Sequence, residues 1–300
     1  MKKYLLIIAA AVAALAISSC KKGGDDDKKV DTTGGVNVAA DNLVAYLPLN
    51  SEEDVITLGE GISYLEMGGE AEFNAKGFRG GAYNNKSANH DTQAYLKFSV
   101  PQKFLANMSS FTVTAWVNSP SQRGGILTFD GGTDANWGAW DMFYDGGDND
   151  GTVFKGYLFS TKTEWGGFFP NFKTEAVVAN QWIQVGFSYD ENTSWANLWV
   201  NGILLGNIDK ETNEILGTST CWAGPEDAEG NQEKVGKIVM PDVSLMYLGA
   251  FASRETGKST ESWLSYFAGK IDEVRIFNKA LSAEEMLALY KAEVKVSDID

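Results

Sequence analysis

FAGKIDEVRIFNKALSAEEMLALY (Phe267–Tyr290) reads as a short strand running into a capped helix. Along the strand, Ile271, Glu273, Arg275 and Phe277 alternate with Asp272, Val274, Ile276 and Asn278. Successive side chains of an extended chain point to opposite faces. Ser282 then stands three residues before Glu285, the spacing of a capping box in which each side chain satisfies one orphan N–H of the helix start. Leu281 and Met286 can close over the cap as a hydrophobic staple, and Leu287 and Tyr290 continue the apolar stripe.

Upstream, short strand-like runs recur with turn residues between them. They are Leu43–Leu49, Ala94–Phe98, Phe111–Val117, Gly125–Phe129, Tyr157–Ser160, Trp182–Tyr189, Trp195–Val200, Leu245–Leu248 and Gly269–Phe277. Only Phe104–Met108 and Ala283–Lys291 look helical. Many strands and few helices predict an all-β, antiparallel two-sheet sandwich with a short C-terminal helix. Asn201-Gly202 supplies the left-handed pair that a tight hairpin demands.

The closing segment resembles the last motif of laminin-G-like, concanavalin A-like jelly rolls. The likeness extends to LVAYLPLN (Leu43–Asn50), to Gly80–Pro101, to SSFTVTAWVN (Ser109–Asn118) and to the hairpin Asn180–Gly206. It implies one jelly-roll domain over 41–292, with a tail over 293–300. It also implies that Trp116, Trp182 and Trp199 are structural. Two stretches exceed the core pattern, Gly131–Gly156 and Gly217–Pro241. Long loops in a compact domain tend to carry function, so a ligand site is expected there.

The other end concerns address. Lys2 and Lys3, an apolar run from Tyr4 to Ile17 and then Ser18-Ser19-Cys20 form a signal peptide over 1–19, with a run too short to span a bilayer. Ile17-Ser-Ser-Cys20 resembles a bacterial lipobox, which makes Cys20 the acylated residue. Residues 20–40 are charged, Gly-rich and nearly free of large apolar groups, hence a flexible tether. Such acidic tethers resemble export signals of Bacteroidetes surface lipoproteins. The expected address is the outer membrane, exposed at the cell surface, with the periplasmic face as the alternative and the lipid as the sole membrane contact. With Cys20 acylated, Cys221 has no intrachain partner, so no disulfide framework exists; Cys221 is expected as a small buried hydrophobe.

The formal net charge of −15 argues against nucleic-acid binding. It suits neutral glycans and divalent cations. Catalysis lacks its pattern. The paired-acid strand motif of jelly-roll glycosidases begins at Glu52-Glu53-Asp54 but Ile56 and Thr57 supply no second acid. The single histidine, His90, sits in a polar loop. A glycoside hydrolase or polysaccharide lyase therefore stays as one alternative, and a protein-binding or adhesion module as another.

Two kinds of site remain. The resemblance implies a structural Ca²⁺ between Asn50 and Asp272, since calcium takes hard oxygen ligands; Asp145–Gly151 looks instead like a solvated acidic hairpin tip. For sugars, whose apolar faces stack on flat aromatics beside polar groups, the candidates are Trp137, Trp140 with Asp141, Trp165, Phe168 and Trp222. The resulting expectation is noncatalytic binding of a polysaccharide or oligosaccharide, with protein partners in a glycan-uptake complex.

Overall fold

The computed structural model describes residues 32–297, except 75, 122, 133–135, 149–150, 160–166, 169–170, 175, 209–214, 219–220 and 223–233. The strands in chain order begin with β1 (Leu43–Leu47), β2 (Leu58–Gly59), β3 (Ser63–Gly69), β4 (Ala71–Asn74), β5 (Ala82–Asn85) and β6 (Ala94–Ser99). Next come β7 (Phe111–Asn118), β8 (Arg123–Phe129), β9 (Trp140–Asp148), β10 (Gly151–Phe159), β11 (Gly167–Phe168) and β12 (Asn171–Thr174). The rest are β13 (Ile183–Asp190), β14 (Trp195–Val200), β15 (Ile203–Leu204), β16 (Gly206–Ile208), β17 (Ile215–Thr218), β18 (Cys221–Trp222), β19 (Leu245–Leu248) and β20 (Lys270–Phe277). Two α-helices, α1 (Ala252–Glu255) and α2 (Ala283–Ser297), follow β19 and β20.

One sheet, A, runs β15-β14-β13-β7-β20-β1-β2, with β18 beside β14 and β5, carrying β4, beside β20. The other large sheet, B, runs β11-β10-β9-β8-β19-β6-β3, with β12 beside β10, and β16 pairs with β17 as a small separate sheet. The strand pairs are antiparallel, giving the expected two-sheet jelly-roll sandwich. Period-2 patterning drives it: in β6, Ala94, Leu96 and Phe98 are buried and Tyr95, Lys97 and Ser99 are not. Facing them are Phe111, Val113 and Ala115 of β7 and Val185 and Phe187 of β13. Asn201 and Gly202 have φ 51° and 73° and join Val200 to Ile203 as a tight hairpin. A side chain at Gly202 would meet the backbone of Leu287 at 2.9 Å, so glycine also lets α2 lie down on the turn.

The capping box forms as read: Glu285 N–H donates to Ser282 Oγ at 3.2 Å and Ser282 N–H to Glu285 Oε2 at 2.9 Å. Met286 and Leu289 then bury against Trp199, Tyr46 and Phe277 on the outer face of sheet A.

Several expectations change. Alternation in β20 breaks at Glu273, where φ is +49° and the register with β7 shifts. This bulge turns Ile271 into the core with Val274 and Ile276, and leaves Glu273, Arg275 and Phe277 facing α2. The helical turn at Phe104–Asn107 is 3₁₀ rather than α. The stretch 131–156 is mostly the β9–β10 hairpin, in which Asp148 pairs with Gly151; the tip, 149–150, lies outside the described residues. Its apolar residues Trp140, Met142, Tyr144 and Phe154 sit in the core, which is why it pairs rather than loops. At the end of 217–241, Val235, Ile238 and Met240 also enter the core.

Both domain boundaries widen. Val36 is only 2% exposed and packs with Leu43 and Leu289, while the carbonyls of Thr33 and Gly34 accept from Arg275 (2.9 Å) and Arg79 (2.5 Å). The last part of the expected tether is therefore a docked strap. At the other end α2 continues to Ser297, because Glu293 is buried as the acceptor of three donors described below. Residues 1–31, with the signal peptide and Cys20, lie outside the described residues.

Candidate functional site

The outer face of sheet B carries a second apolar layer. Phe143 of β9 and Tyr157 and Phe159 of β10 project away from the core and are roofed by Phe251 and Leu264. Trp137 lies on this layer, stacked at 5.2 Å on Phe143 and 5.6 Å on Tyr157, each tilted by 27°. Trp263 follows at 5.2 Å and 48° from Trp137, and is 41% exposed. Two indoles thus form an angled aromatic platform, rigidly floored, in which Trp263 is exposed and Trp137 part-buried. Stacked aromatics of this kind lose little conformational entropy on binding.

Polar bonds fix the segment that bears Trp137. Gly138 N–H donates to Asp141 Oδ2 at 2.9 Å. Ser253 and Ser259 donate to the main-chain and side-chain oxygens of Asn136, both at 2.6 Å. Arg254 lies over the Tyr266 ring at 4.4 Å and donates to the Leu264 carbonyl at 2.7 Å. Tyr266 O–H donates to Glu255 at 2.7 Å, and burial first, then that hydrogen bond, pushes its phenol up. These bonds anchor the 252–266 segment against the sheet.

Of the expected ligand-binding residues, Trp137 is on this outer layer. Trp140 is not: at 1% exposure it sits between the sheets, edge-on to Phe111 at 4.1 Å. The strand alternation puts Trp140 inward and its neighbours Asp141 and Phe143 outward. Asp141 is buried too, a positioning residue for the Trp137 segment rather than a ligand contact. Trp165 lies outside the described residues. The backbone of Phe168 pairs with Leu158 and that of Trp222 with Trp195, but their side chains, and that of Cys221, lie outside the described residues. Sequence reading missed Trp263. The signal was present, a tryptophan directly after the polar stretch Lys258–Ser262, but nothing local links it to Trp137, 126 positions earlier in the chain.

The structural tryptophans divide. Trp116 and Trp199 are buried on the outer face of sheet A, whereas Trp182 is half-buried against Phe78. His90 is part-exposed, 3.6 Å from Asp91, with its carbonyl accepting from Tyr266 N–H.

Asn50 and Asp272 do come close to one loop, 77–81, but they do not fit Ca²⁺. Asp272 Oδ2 accepts the N–H groups of Phe78 (2.7 Å) and Arg79 (2.9 Å), and Oδ1 that of Glu273 (2.8 Å). Asn50 Oδ1 accepts Gly81 N–H at 2.8 Å, and its amide donates to Asp54 at 2.9 Å. A dication there would face the positive ends of four N–H dipoles, where it needs six to eight oxygens. Among the described residues no group of three His, Cys, Asp or Glu side chains is placed to share an ion. Burial, then the Glu273 carboxylate, holds Asp272 well above the usual carboxylate range, with the N–H donors pulling back.

The remaining buried acids form a charge network under α2. Arg275 bonds Glu293 at 2.6 Å and Glu273 at 2.9 Å and lies 3.9 Å over the Tyr46 ring. Glu293 also accepts from Trp116 (2.7 Å) and Gln184 (2.6 Å), and Tyr46 O–H donates to Glu273 at 2.7 Å. Burial raises Glu273, and Arg275 opposes that rise. These carboxylates are spent on holding helix to sheet.

A family model described as concanavalin A-like lectin/glucanases superfamily, of laminin G type, matches residues 90–244, just over half of the chain. The chain belongs to this superfamily. The match ends before the closing strand, and it includes Trp137 but not Trp263. The fold is also similar to solved botulinum neurotoxin structures. They include the binding domain of neurotoxin DC in complex with SialylT (13% identity, TM-score 0.52, 86% of this chain and 52% of that one). Neurotoxin type C, which depends on interaction with two ganglioside molecules to enter cells, is similar at 14% identity and TM-score 0.51, over 85% and 52%. The serotype G binding domain stands at 15% and 0.51, over 83% and 51%. This chain thus spans about half the length of those structures, and at such identity the likeness is one of fold. No curated protein matches the chain.

Proposed function

We propose that this protein is a noncatalytic carbohydrate-binding module that captures polysaccharide or oligosaccharide on the Trp137–Trp263 platform. The observation that carries the reading is the rigidly supported indole pair on the outer face of sheet B, with Trp263 exposed and Trp137 part-buried beside it. That structurally similar neurotoxins bind carbohydrate agrees with sugar binding as such, and not with a particular sugar. We place the module at the outer membrane, surface-exposed and held by lipid on Cys20, among the protein partners of a glycan-uptake system. The strap at Thr33–Val36 lies on the outer face of sheet A and the platform on the outer face of sheet B.

A glycan array probed with the full chain, scored for both retention and cleavage, tests this. Retention without cleavage is expected. Trp137→Ala and Trp263→Ala should each weaken binding about tenfold or more, the effect of truncating a central aromatic anchor, and Trp263→Ala should leave the Tm unchanged. Trp140→Ala should instead cost about 3–5 kcal/mol of stability as a core cavity. Cleavage of an array member would establish the hydrolase or lyase alternative. A protein-binding role has one feature in its favour, the edge strand β3 with Leu65 and Met67 exposed. Absence of retention across the array would favour it.

A further inference from the structure

We infer that Glu261 makes the platform select uncharged sugars over those bearing carboxylate or sulfate, an inference that rests on the carbohydrate reading. Glu261 is exposed beside the indoles, and Trp263 Nε1–H donates to its Oε2 at 3.1 Å. A carboxylate has lone pairs for about four donors, and the indole fills one of them. Its remaining acceptor capacity therefore sits at the rim of the aromatic surface, where a stacked sugar ring presents its equatorial hydroxyls. Hydroxyl donors to a carboxylate make charge-assisted hydrogen bonds, stronger than neutral ones.

The neighbouring cations are committed to the protein's own backbone. Lys258 Nζ donates to the carbonyls of Gly131 and Gly132, both at 3.1 Å. Arg254 is turned onto Tyr266 and the Leu264 carbonyl. Glu255, the other acid of this segment, is occupied by Tyr266 and by Gln93 at 3.0 Å. An anionic sugar on the platform would thus meet the Glu261 charge with no fork of donors among the described residues to receive its own, and the net charge of −15 adds repulsion at long range. An uncharged sugar meets an acceptor suited to its hydroxyls.

The test uses the full chain against neutral gluco-, xylo- and manno-oligosaccharides and their glucuronate- or sulfate-bearing counterparts of the same backbone. Wild type is expected to prefer the neutral member of a pair at least tenfold, with the preference shrinking as salt rises. Glu261→Gln keeps the shape, should leave the Tm unchanged, and should lower neutral-sugar affinity at least threefold while narrowing the preference to under threefold. A tenfold preference that survives Glu261→Gln, or a wild type that favours the anionic members, overturns this inference alone. Retention of no sugar by wild type overturns the carbohydrate reading and this inference with it.

Discussion

Asp272 shows how one buried carboxylate can serve as a joint. Its two oxygens receive three backbone N–H groups from two chain segments, pinning the 77–81 loop to β20. With its carboxyl raised in the fold, ionisation costs more folded than unfolded. The unfolded state therefore binds fewer protons above the ordinary carboxylate value of about 4, and the Asp272 contribution to stability falls as pH rises from there. Asp272→Asn lacks that dependence and loses acceptors for N–H groups, at a cost of about 1–3 kcal/mol. Its deficit against wild type should be largest near pH 4 and narrow toward neutrality; thermal melts across that range that show a constant deficit would refute the assignment. Full chelation with EDTA should leave the wild-type Tm where it was, because the acceptors already hold N–H donors.

Helix α2 is anchored by charge as well as by apolar burial. Its capping box and staple are local, and both were legible in ALSAEEM, since a cap depends on residues three apart in the chain. Its far end was not. Nothing around Glu293 announces that the side chain will meet Trp116, Gln184 and Arg275, which reach it from β7, β13 and β20. Removing one partner of such a network leaves an uncompensated buried charge. Glu293→Ala should accordingly cost about 3–5 kcal/mol, measured by denaturant unfolding, whereas Ser282→Ala should cost about 1 kcal/mol. Equal small losses would mean that the network does not anchor the helix. The β9–β10 hairpin is the converse case. Its turn-rich tip hid β9 and the first part of β10, of which only the end at Tyr157 was legible; their inward residues are bulky but the outward ones, Phe143 and Tyr157, are bulky too. A strand covered on both faces shows no alternation to read.

The sandwich as a whole separates two surfaces, the strap and α2 behind sheet A and the indole platform outside sheet B. A chain begun at Asp41 would lose Val36 and the Thr33 and Gly34 carbonyls, and should be less stable by roughly 2–4 kcal/mol with its glycan affinity intact. An unchanged melting curve would return the strap to the tether. From the sequence by itself came the all-β class, the tight hairpin at Asn201-Gly202 and the capped last helix. These rest on period-2 patterning, φ > 0 residues and short spacings, all local properties of the chain. Only the tertiary structure brought Trp263 to Trp137, sent Trp140 inside and placed N–H donors on Asp272. The indole positions depend on strand register in sheet B and the Asp272 joint on the bulge at Glu273, and a one-residue change of register reverses which face each side chain meets.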